Sequence, residues 1–513
     1  MPRAFDVLVI GAGSAGAVLA ARLSEDPSCR VGLLEAGGWP DDPDVADPLK
    51  WPFLENKPYD WAYRTVPQAG TANRVHSWPR GRLVGGSSAI NAMAHVRGHA
   101  DDFDAWAAAG GPRWSYEGLL PGFRASETFS GGASAVHGGD GPFDVWMPGD
   151  EVSPVARAYM AAGEALGAPA LGDHNAGPMT GTSPNSLNIR GGRRLTLADA
   201  YLAPHAGRPN LTIVTGALVE RLVVEGGRAV AARVLVGGAV EEIRAGTIVL
   251  ATGSIASPLI LMRSGIGDPD ELRRHGIAVV APLSGVGGNL HDHLLAAGNV
   301  YAAKRPVPVS RLQHSESLMY LHSADISRRD GSPDMVLGCV VAPSVSDAFE
   351  RPAPGTTYTL LSGVTHPTSR GRLRLGGPGV DDRPIIDPAY LATQHDRDTF
   401  RAALKIARAV GHAAPMDAWR EREILPGPEA QDDAALDAFI AKAVITHHHP
   451  VGTCSMGPDG DATAVVDGDL AVRGVDGLFV VDASVIPKIL AGPINAAVVA
   501  IAETWARECW RGR

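Results

Sequence analysis

The chain has 513 residues, of which 45% are hydrophobic and 20% charged, and its formal net charge is −10 at pH 7. These values are ordinary for a globular protein of two or more packed domains. The negative charge gives no electrostatic reason to expect binding to nucleic acid or to an anionic membrane, and no apolar run is long enough to span a bilayer. The first residues lack a signal-peptide pattern and the four scattered cysteines form no metal or disulfide motif, so we expect a cytoplasmic protein.

The first predicted element is a strand–turn–helix unit. The apolar residues 7–10 are typical of a buried strand, and Gly11, Gly13 and Gly16 form a GxGxxG pattern before the apolar run 17–23. These glycines allow a tight turn, the approach of a pyrophosphate and close packing of the helix, whose N-terminus favours phosphate. A second strand ends in Glu35, at the spacing of an acid that accepts from a ribose hydroxyl. The unit predicts an adenine dinucleotide site, and a glycine-rich turn with a solvated Glu35 is the alternative.

Two stretches precede the first long helical region. Residues 51–80 are rich in Pro, Trp and Tyr without a clear period, so we expect an ordered segment over the surface or over the cofactor. Residues 81–93 contain Gly85 and Gly86 followed by two serines, which suits a second close approach of the backbone to a phosphate or a ring. On these residues alone, a plain loop is an equal alternative.

The rest of the chain contains helical and strand-like patterns. Helices are expected at 101–129 and 155–166, with a glycine-rich loop or hairpin at 131–149. Strands are expected at 211–214, 217–224, 230–236, 241–244 and 247–253. Later, we expect strands at 358–364 and 372–375, helices at 399–411 and 433–444, and a buried strand at 478–482 that ends in an acid.

These elements predict an α/β fold, α+β overall. The strands at 7–10, 247–253 and 478–482 read as buried and come from distant parts of the chain, which indicates one parallel sheet assembled from discontinuous segments. We expect a Rossmann-like domain formed by residues 1–150, 211–298 and 456–513. Residues 151–210 and 299–455 are expected to form a substrate domain, a mixed sheet with helices that covers its open face.

Several motifs resemble those of the glucose–methanol–choline (GMC) oxidoreductase family of flavoproteins over essentially the whole chain. Residues 253–267 match one family signature, and residues 81–91 resemble another, although His95 stands where an aromatic residue or alanine is usual. Residues 369–375, 384–388 and 449–457 resemble the C-terminal region of the family. The resemblance implies FAD as the cofactor rather than NAD.

The resemblance also implies which residues hold FAD. Those expected at the adenosine diphosphate half are Gly11, Gly13, Ser14, Ala15, Gly16, Glu35 and Ala36. Those expected at the flavin half are Gly86, Ser87, Asn91, Met93 and Ala94. The backbone of Val219 would meet the adenine, and the site would be closed from the C-terminal side by Asp482, Ala483 and Asn495.

Attachment of the flavin is expected to be non-covalent. Several family members link the flavin to a histidine just after the paired serines, and this chain has Ala89 in that neighbourhood. His95 and His99 are the only nearby rivals.

Residues 445–451 contain three consecutive histidines. Oxidation of an alcohol needs a base for the hydroxyl proton, and a neutral histidine suits that role. In an extended segment His447 and His449 project to one face and His448 to the other. The resemblance implies that His449 is the base, and we expect His447 to form a second wall of the pocket. A surface cluster or a weak metal site is the alternative, but no Cys, Asp or Glu accompanies the histidines at ligand spacing, so we predict no metal.

Pro493 departs from the family pattern. It stands where a second His or Asn usually faces the base, and proline has no side-chain donor or acceptor. Either His447 supplies the missing contact or other groups hold the substrate. Proline at this point resembles members that oxidise the 4-hydroxymethyl group of vitamin B6, whose activated aromatic alcohol has a comparatively weak carbinol C–H bond. A neutral local variation is the alternative.

The expected reaction is oxidation of a primary alcohol to an aldehyde by hydride transfer to flavin N5, with His449 as the base. Pyridoxine is the expected small-molecule substrate and O₂ the expected acceptor. The first alternative is choline or another alcohol with a different electron acceptor. The second, from another class, is a catalytically silent dinucleotide-binding protein, and the intact histidine segment argues against it.

Overall fold

The computed structural model describes residues 4–510. Its first sheet contains the strands Leu211–Val214, Val31–Leu34, Ala4–Ile10, Ala239–Leu250, Arg228–Val236 and Leu218–Glu225 in that spatial order, and Leu478–Val480 also pairs with Ala239–Leu250. The first four of these strands and Leu478–Val480 pair in parallel, with Ile10 opposite Leu250 and Leu250 opposite Val480. The discontinuous parallel sheet is therefore confirmed. Residues 7–10, 31–34, 247–250 and 478–480 are all buried, as expected for strands that are covered on both faces.

The remaining strands of this sheet form an antiparallel extension. The first half of Ala239–Leu250 pairs with Arg228–Val236, which pairs in turn with Leu218–Glu225. The glycine turns at 226–227 and 237–238 connect these strands directly, so no crossover helix is present to make them parallel.

The second sheet contains the strands Arg420–Leu425, Leu294–Ala303, Thr357–Val364, Met335–Val340, Ser315–Leu321 and Gly181–Pro184 in spatial order, with Val444–Thr446 also paired to Leu294–Ala303. Each of these pairs is antiparallel, so the expectation of a mixed sheet is wrong in this detail. Three of its strands follow one another as a meander, an arrangement that needs no parallel crossover.

The α-helices are Ser14–Leu23, Pro43–Ala46, Asp104–Gly110, Tyr116–Ser126, Pro154–Ala165, Gly253–Arg263, Pro269–Arg274, Gln394–His412, Asp433–Ala443 and Asn495–Thr504. The helices predicted at 155–166, 399–411 and 433–444 are thus present. The region predicted as helical at 101–129 is interrupted, because Gly111 adopts a positive φ and Pro112 follows it. No helix within residues 4–510 is long and apolar enough to cross a membrane.

Short strand pairs complete the secondary structure: Tyr63–Arg64 with Ser77–Trp78, Glu127–Phe129 with Phe143–Val145, Ile189–Arg190 with Arg193–Arg194, Ile266–Gly267 with Ala281–Pro282, and Arg372–Arg374 with Ile385–Asp387. The pair formed by Phe143–Val145 is parallel. The glycine-rich segment 131–149 is therefore mainly a loop rather than a hairpin.

Two helices begin at the same edge of the first sheet. Ser14, the first residue of one, donates from Oγ to Oδ1 of Asn495, the first residue of the other, over 2.6 Å. Farther along, Arg22 donates to Glu503 over 2.9 Å and joins the same two helices. Both N-termini therefore lie at the carboxyl ends of the parallel strands, which is where open α/β sheets bind ligands.

Candidate active site

One large cavity lies against both sheets and has a volume of about 1240 Å³. Its walls contain nearly every residue singled out from the sequence: Gly11, Gly13, Ser14, Ala15, Glu35, Ala36, Gly86, Ser87, Asn91, Met93, Ala94, Val219, His447, His449, Asp482, Ala483, Pro493 and Asn495. Of the residues predicted to hold FAD or substrate, Gly16 does not line the cavity. Segment 51–80 also contributes to the wall, through residues such as Trp51, Trp61 and Arg80.

The glycine turn is shaped by close backbone approaches. Gly11 has φ +96°, and a Cβ at Gly16 would lie 1.8 Å from the carbonyl oxygen of Gly11. At Gly13 the nearest atom to an added Cβ is 3.8 Å away and belongs to Gly86. Gly11 and Gly16 are therefore required by the protein itself, whereas Gly13 leaves open the side that faces the cavity.

The second glycine stretch packs on the first. The amide of Gly85 donates to the carbonyl of Ala12 over 2.8 Å. Gly86 has φ +52°, and a Cβ there would lie 2.6 Å from Cα of Gly13. The paired glycines therefore pack directly against the GxGxxG turn and form a cradle with it, and their approach to the cofactor stays a prediction.

Glu35 is a buried carboxylate at the end of the second strand. Its Oε2 accepts from the amide of Ala12 over 3.0 Å, and its Oε1 accepts from the amide of Gly37 over 2.9 Å. Burial raises the pKa of Glu35, and these backbone donors oppose that change. The side chain therefore fixes the turn as well as lining the cavity, and its contact with a ribose stays a prediction.

Asp482 lines the cavity and accepts four hydrogen bonds from neighbouring residues. One carboxylate oxygen accepts from the amide of Gly253 over 2.8 Å and from Oγ of Ser257 over 2.5 Å. The other accepts from the amide and the hydroxyl of Ser484. The side chain therefore joins the C-terminal strand to the helix Gly253–Arg263 and shapes the cavity wall.

The three consecutive histidines take different positions. The rings of His447 and His449 lie side by side, with centroids 4.3 Å apart. His448 has φ +65°, so the segment is not a regular extended strand, and its carbonyl accepts from Arg80 over 3.0 Å. His447 and His449 lie side by side as expected. The left-handed conformation of His448, rather than an extended strand, places them there.

Asp292 anchors this segment and was missed by sequence reasoning. Its Oδ1 accepts from the amide of His449 over 2.7 Å. Its Oδ2 accepts from the hydroxyls of Tyr390 and Thr446, each over 2.6 Å. The run His291-Asp292-His293 just before a long strand was the available signal, but it did not reveal its partners 98 and 154 residues away.

His293 completes the cluster and was also missed. Its Nδ1 lies 3.0 Å from Nδ1 of His449, and nitrogens of His293, His447 and His449 all lie within 4.8 Å of one another. Such spacing suits a metal ion in principle. Two of these nitrogens, Nδ1 of His293 and Nδ1 of His449, lie within hydrogen-bond distance of each other, and the absence of a metal stays a prediction.

Burial and mutual repulsion set the charge of these rings. Loss of hydration lowers the pKa of His449 well below 6.5, and nearby His447, His293, His448 and Arg80 lower it further. The pKa of His447 is lowered well below 6.5 for the same reasons. Both imidazoles are therefore neutral at pH 7 and able to accept a proton.

Comparison with known proteins identifies the family. Sequence models described as GMC oxidoreductase match residues 5–295 and 367–502. The chain belongs to the GMC oxidoreductase family. The resemblance inferred from the sequence motifs is thus confirmed, and the protein is an FAD-dependent enzyme that acts on alcohols.

Individual GMC relatives match nearly the whole chain. Pyridoxine 4-oxidase of Microbacterium luteolum is 53% identical over 503 residues, which is 98% of each chain. The crystal structure of pyridoxine 4-oxidase from Mesorbium loti aligns with a TM-score of 0.96 and 53% identity, over 98% of this chain and 99% of that one. Mitochondrial choline dehydrogenase of Mus musculus is 36% identical over 97% of this chain and 88% of its own.

The cavity of this GMC oxidoreductase fits FAD. The facing glycines at 13 and 86 form a cradle that a Cβ would fill, and two helix N-termini open beside it. These groups suit a pyrophosphate. Arg194, a further residue that sequence reasoning missed, is buried and donates to Oδ1 of Asn91 over 2.9 Å, so it fixes the loop expected beside the flavin.

The histidines that could compete for a covalent link point elsewhere. His95 is buried and contacts Asn188 and Glu127, and His99 caps the turn Ala100–Phe103. Neither lines the cavity, and Ala89 is buried.

After acid precipitation we expect the yellow colour to stay in the supernatant, as judged by its absorption spectrum. Colour retained in the washed pellet would contradict non-covalent binding.

Proposed function

We propose that this enzyme oxidises the 4-hydroxymethyl group of pyridoxine to the aldehyde of pyridoxal, with O₂ as the electron acceptor and hydrogen peroxide as the second product. One observation supports it above all. A single cavity joins the glycine cradle to the imidazoles of His447 and His449 and to Pro493. The 53% identity to pyridoxine 4-oxidase over nearly the whole chain favours the substrate.

His449 is proposed to act as the base. Its imidazole is neutral at pH 7 and lines the cavity. Among residues 4–510, nothing hydrogen-bonds to its Nε2, so that nitrogen is available to take the hydroxyl proton. When bound, FAD supplies the acceptor for the hydride that leaves the carbinol carbon. The protein therefore has to hold the hydroxyl beside Nε2 and keep water away.

His447 is proposed to replace the polar partner that Pro493 cannot provide. Its ring lies 4.3 Å from that of His449 between centroids, and its amide donates to the carbonyl of His293 over 2.9 Å. That backbone bond orients the residue while its ring faces the cavity. His447 can then hydrogen-bond the substrate hydroxyl, and Pro493 supplies an apolar surface for an aromatic ring.

An alcohol panel under anaerobic conditions tests the proposal. We expect pyridoxine to bleach the visible flavin band fastest, and admission of air to return the colour with one peroxide per aldehyde. Faster bleaching by choline or a simple aliphatic alcohol would contradict the substrate. Recovery only with a quinone would contradict O₂ as the acceptor, and no bleaching by any alcohol would favour a catalytically silent protein.

A second candidate is oxidation of choline. Glu55, Trp51 and Trp61 line the cavity, and aromatic rings with an acid can surround a quaternary cation. Burial and nearby Asp60 raise the pKa of Glu55, however, which reduces its charge and weakens such a cage. The same panel separates the two substrates.

The reaction should tolerate mildly acidic pH. The pKa of His449 lies well below 6.5, so the neutral base persists as pH falls through the range where a free histidine becomes protonated. We expect the anaerobic rate of flavin reduction to fall only below pH 6.5. A stopped-flow pH series measures this, and a midpoint above pH 7 would contradict the neutral, buried base.

A cytoplasmic location also stays a proposal. All four cysteines are free and buried, which is compatible with a reducing compartment.

A further inference from the structure

A third histidine lies directly behind the proposed base. His293 is 3% exposed and belongs to the segment that leads into the strand Leu294–Ala303. Its Nε2 lies 2.8 Å from the carbonyl oxygen of Thr365, and its Nδ1 lies 3.0 Å from Nδ1 of His449. It does not line the cavity, so we place it behind the ring that faces the substrate.

These two contacts determine where the protons are. A carbonyl oxygen only accepts, so Nε2 of His293 must carry a proton. Burial lowers the pKa of His293 to about 4, so the ring is neutral at pH 7 and its Nδ1 has a lone pair. Nδ1 of His449 must then be the donor in the contact between the two rings. A neutral His449 with its proton on Nδ1 has its lone pair on Nε2.

We propose that His293 is a positioning residue that holds His449 as the Nδ1–H tautomer, so that the lone pair of Nε2 faces the substrate hydroxyl. This inference rests on the proposed role of His449 as the base. In the opposite tautomer Nε2 would carry a proton, and His449 could not accept another without losing its bond to His293.

The same arrangement stabilises the product of proton transfer. When the hydroxyl proton moves to Nε2, the O–H bond breaks and the imidazole of His449 gains one positive charge. Its Nδ1–H still donates to the lone pair of His293, in a bond strengthened by the charge. The carbonyl of Thr365 keeps His293 oriented throughout, because that bond is unchanged.

Two hydrogen bonds donated by backbone amides fix the relative positions of the segments that carry these rings. Oδ1 of Asp292 accepts from the amide of His449, and the carbonyl of His293 accepts from the amide of His447. Asp292 therefore fixes the main chain at His449. Its neighbour His293 fixes the main chain at His447 and the tautomer of His449. Because His293 and His449 are 156 residues apart in the sequence, only folding brings the two rings together.

Three variants test the inference. His293→Gln can keep both bonds, because its amide oxygen accepts and its NH₂ donates, whereas His293→Leu removes both at similar size. We expect His293→Leu to lower kcat/KM for the alcohol about 10- to 100-fold, as when the orienting partner of another histidine is removed. His293→Gln should recover most of that loss. His174→Gln is the matched control, because His174 is also 3% exposed and contacts carbonyls of Met179 and Leu318.

A readout independent of activity is the ¹⁵N spectrum of histidine-labelled holoenzyme, with His449 assigned by the signals lost in His449→Gln. We expect Nδ1–H in the wild type, His293→Gln and His174→Gln, and loss of that single tautomer in His293→Leu. Nε2–H in the wild type would overturn the inference. So would Nδ1–H retained in a folded, fully active His293→Leu. The wild-type spectrum decides even if that variant fails to fold.

The two proposals fail in different ways. If no alcohol reduces the wild-type flavin, the proposed function fails while the ¹⁵N spectrum still reports the tautomer. If alcohols are oxidised normally but the tautomer is wrong, only the role of His293 fails.

Discussion

Replacement of His449 by alanine is expected to lower turnover by about 10²- to 10⁴-fold, the contribution typical of a positioned general base. The variant removes a ring that lines the cavity, and whose Nδ1 pairs with His293. FAD content should be unchanged, because the hydrogen bonds described above for the glycine turn and for Asp482 are made with other residues. Rapid anaerobic reduction by the alcohol measures the loss directly, apart from reoxidation.

The control for this prediction is the protein's own spectrum. Bound FAD at the wild-type ratio, with an unchanged melting temperature, shows that only chemistry has been lost. His449→Gln should behave similarly in turnover, since an amide is not basic enough to take the proton. Turnover near that of the wild type in His449→Ala would remove the assignment of the base and require His447 in that role.

Most of the first domain could be predicted because its signals are local. The strand at 7–10, the glycines after it and Glu35 lie within one short stretch, and their spacing is set by the geometry of a single βαβ unit. The place of the 478–482 strand could be inferred because a strand that is apolar throughout must be buried on both faces. The strand directions in the second sheet could not be predicted, because an apolar strand has the same sequence pattern in a parallel pair and in an antiparallel pair.

The residues of the candidate site also divide into those that have a local sequence signal and those that do not. His447 and His449 were found because three histidines stand together and resemble a family motif. Asp292 and His293 were not, because their importance lies in contacts with residues about 150 positions away. A buried carboxylate or imidazole has no sequence pattern of its own. Pairing of Leu294–Ala303 with Val444–Thr446 is what brings these two segments together.

The second large effect is expected for Gly16→Ala. An added Cβ would lie 1.8 Å from the carbonyl oxygen of Gly11 and 2.9 Å from its carbonyl carbon. Because both are backbone atoms, the helix Ser14–Leu23 must move away from the strand that precedes it. We expect a loss of about 2 to 4 kcal/mol in unfolding free energy, in the upper range for overpacking, together with loss of bound FAD. Thermal unfolding and flavin content measure the two effects.

Gly13→Ala separates folding from binding in the same turn. Its Cβ would have 3.8 Å to the nearest protein atom, so the apoprotein should fold with a stability close to that of the wild type. The methyl group would nevertheless project between the two glycine turns, where the pyrophosphate is expected to pass. We therefore expect a folded protein that purifies without colour and needs far more FAD for reconstitution. Wild-type FAD affinity in Gly13→Ala would show that the cofactor does not cross this turn. Unfolding of Gly13→Ala to the extent of Gly16→Ala would show that steric fit within the protein, rather than the cofactor, requires both glycines.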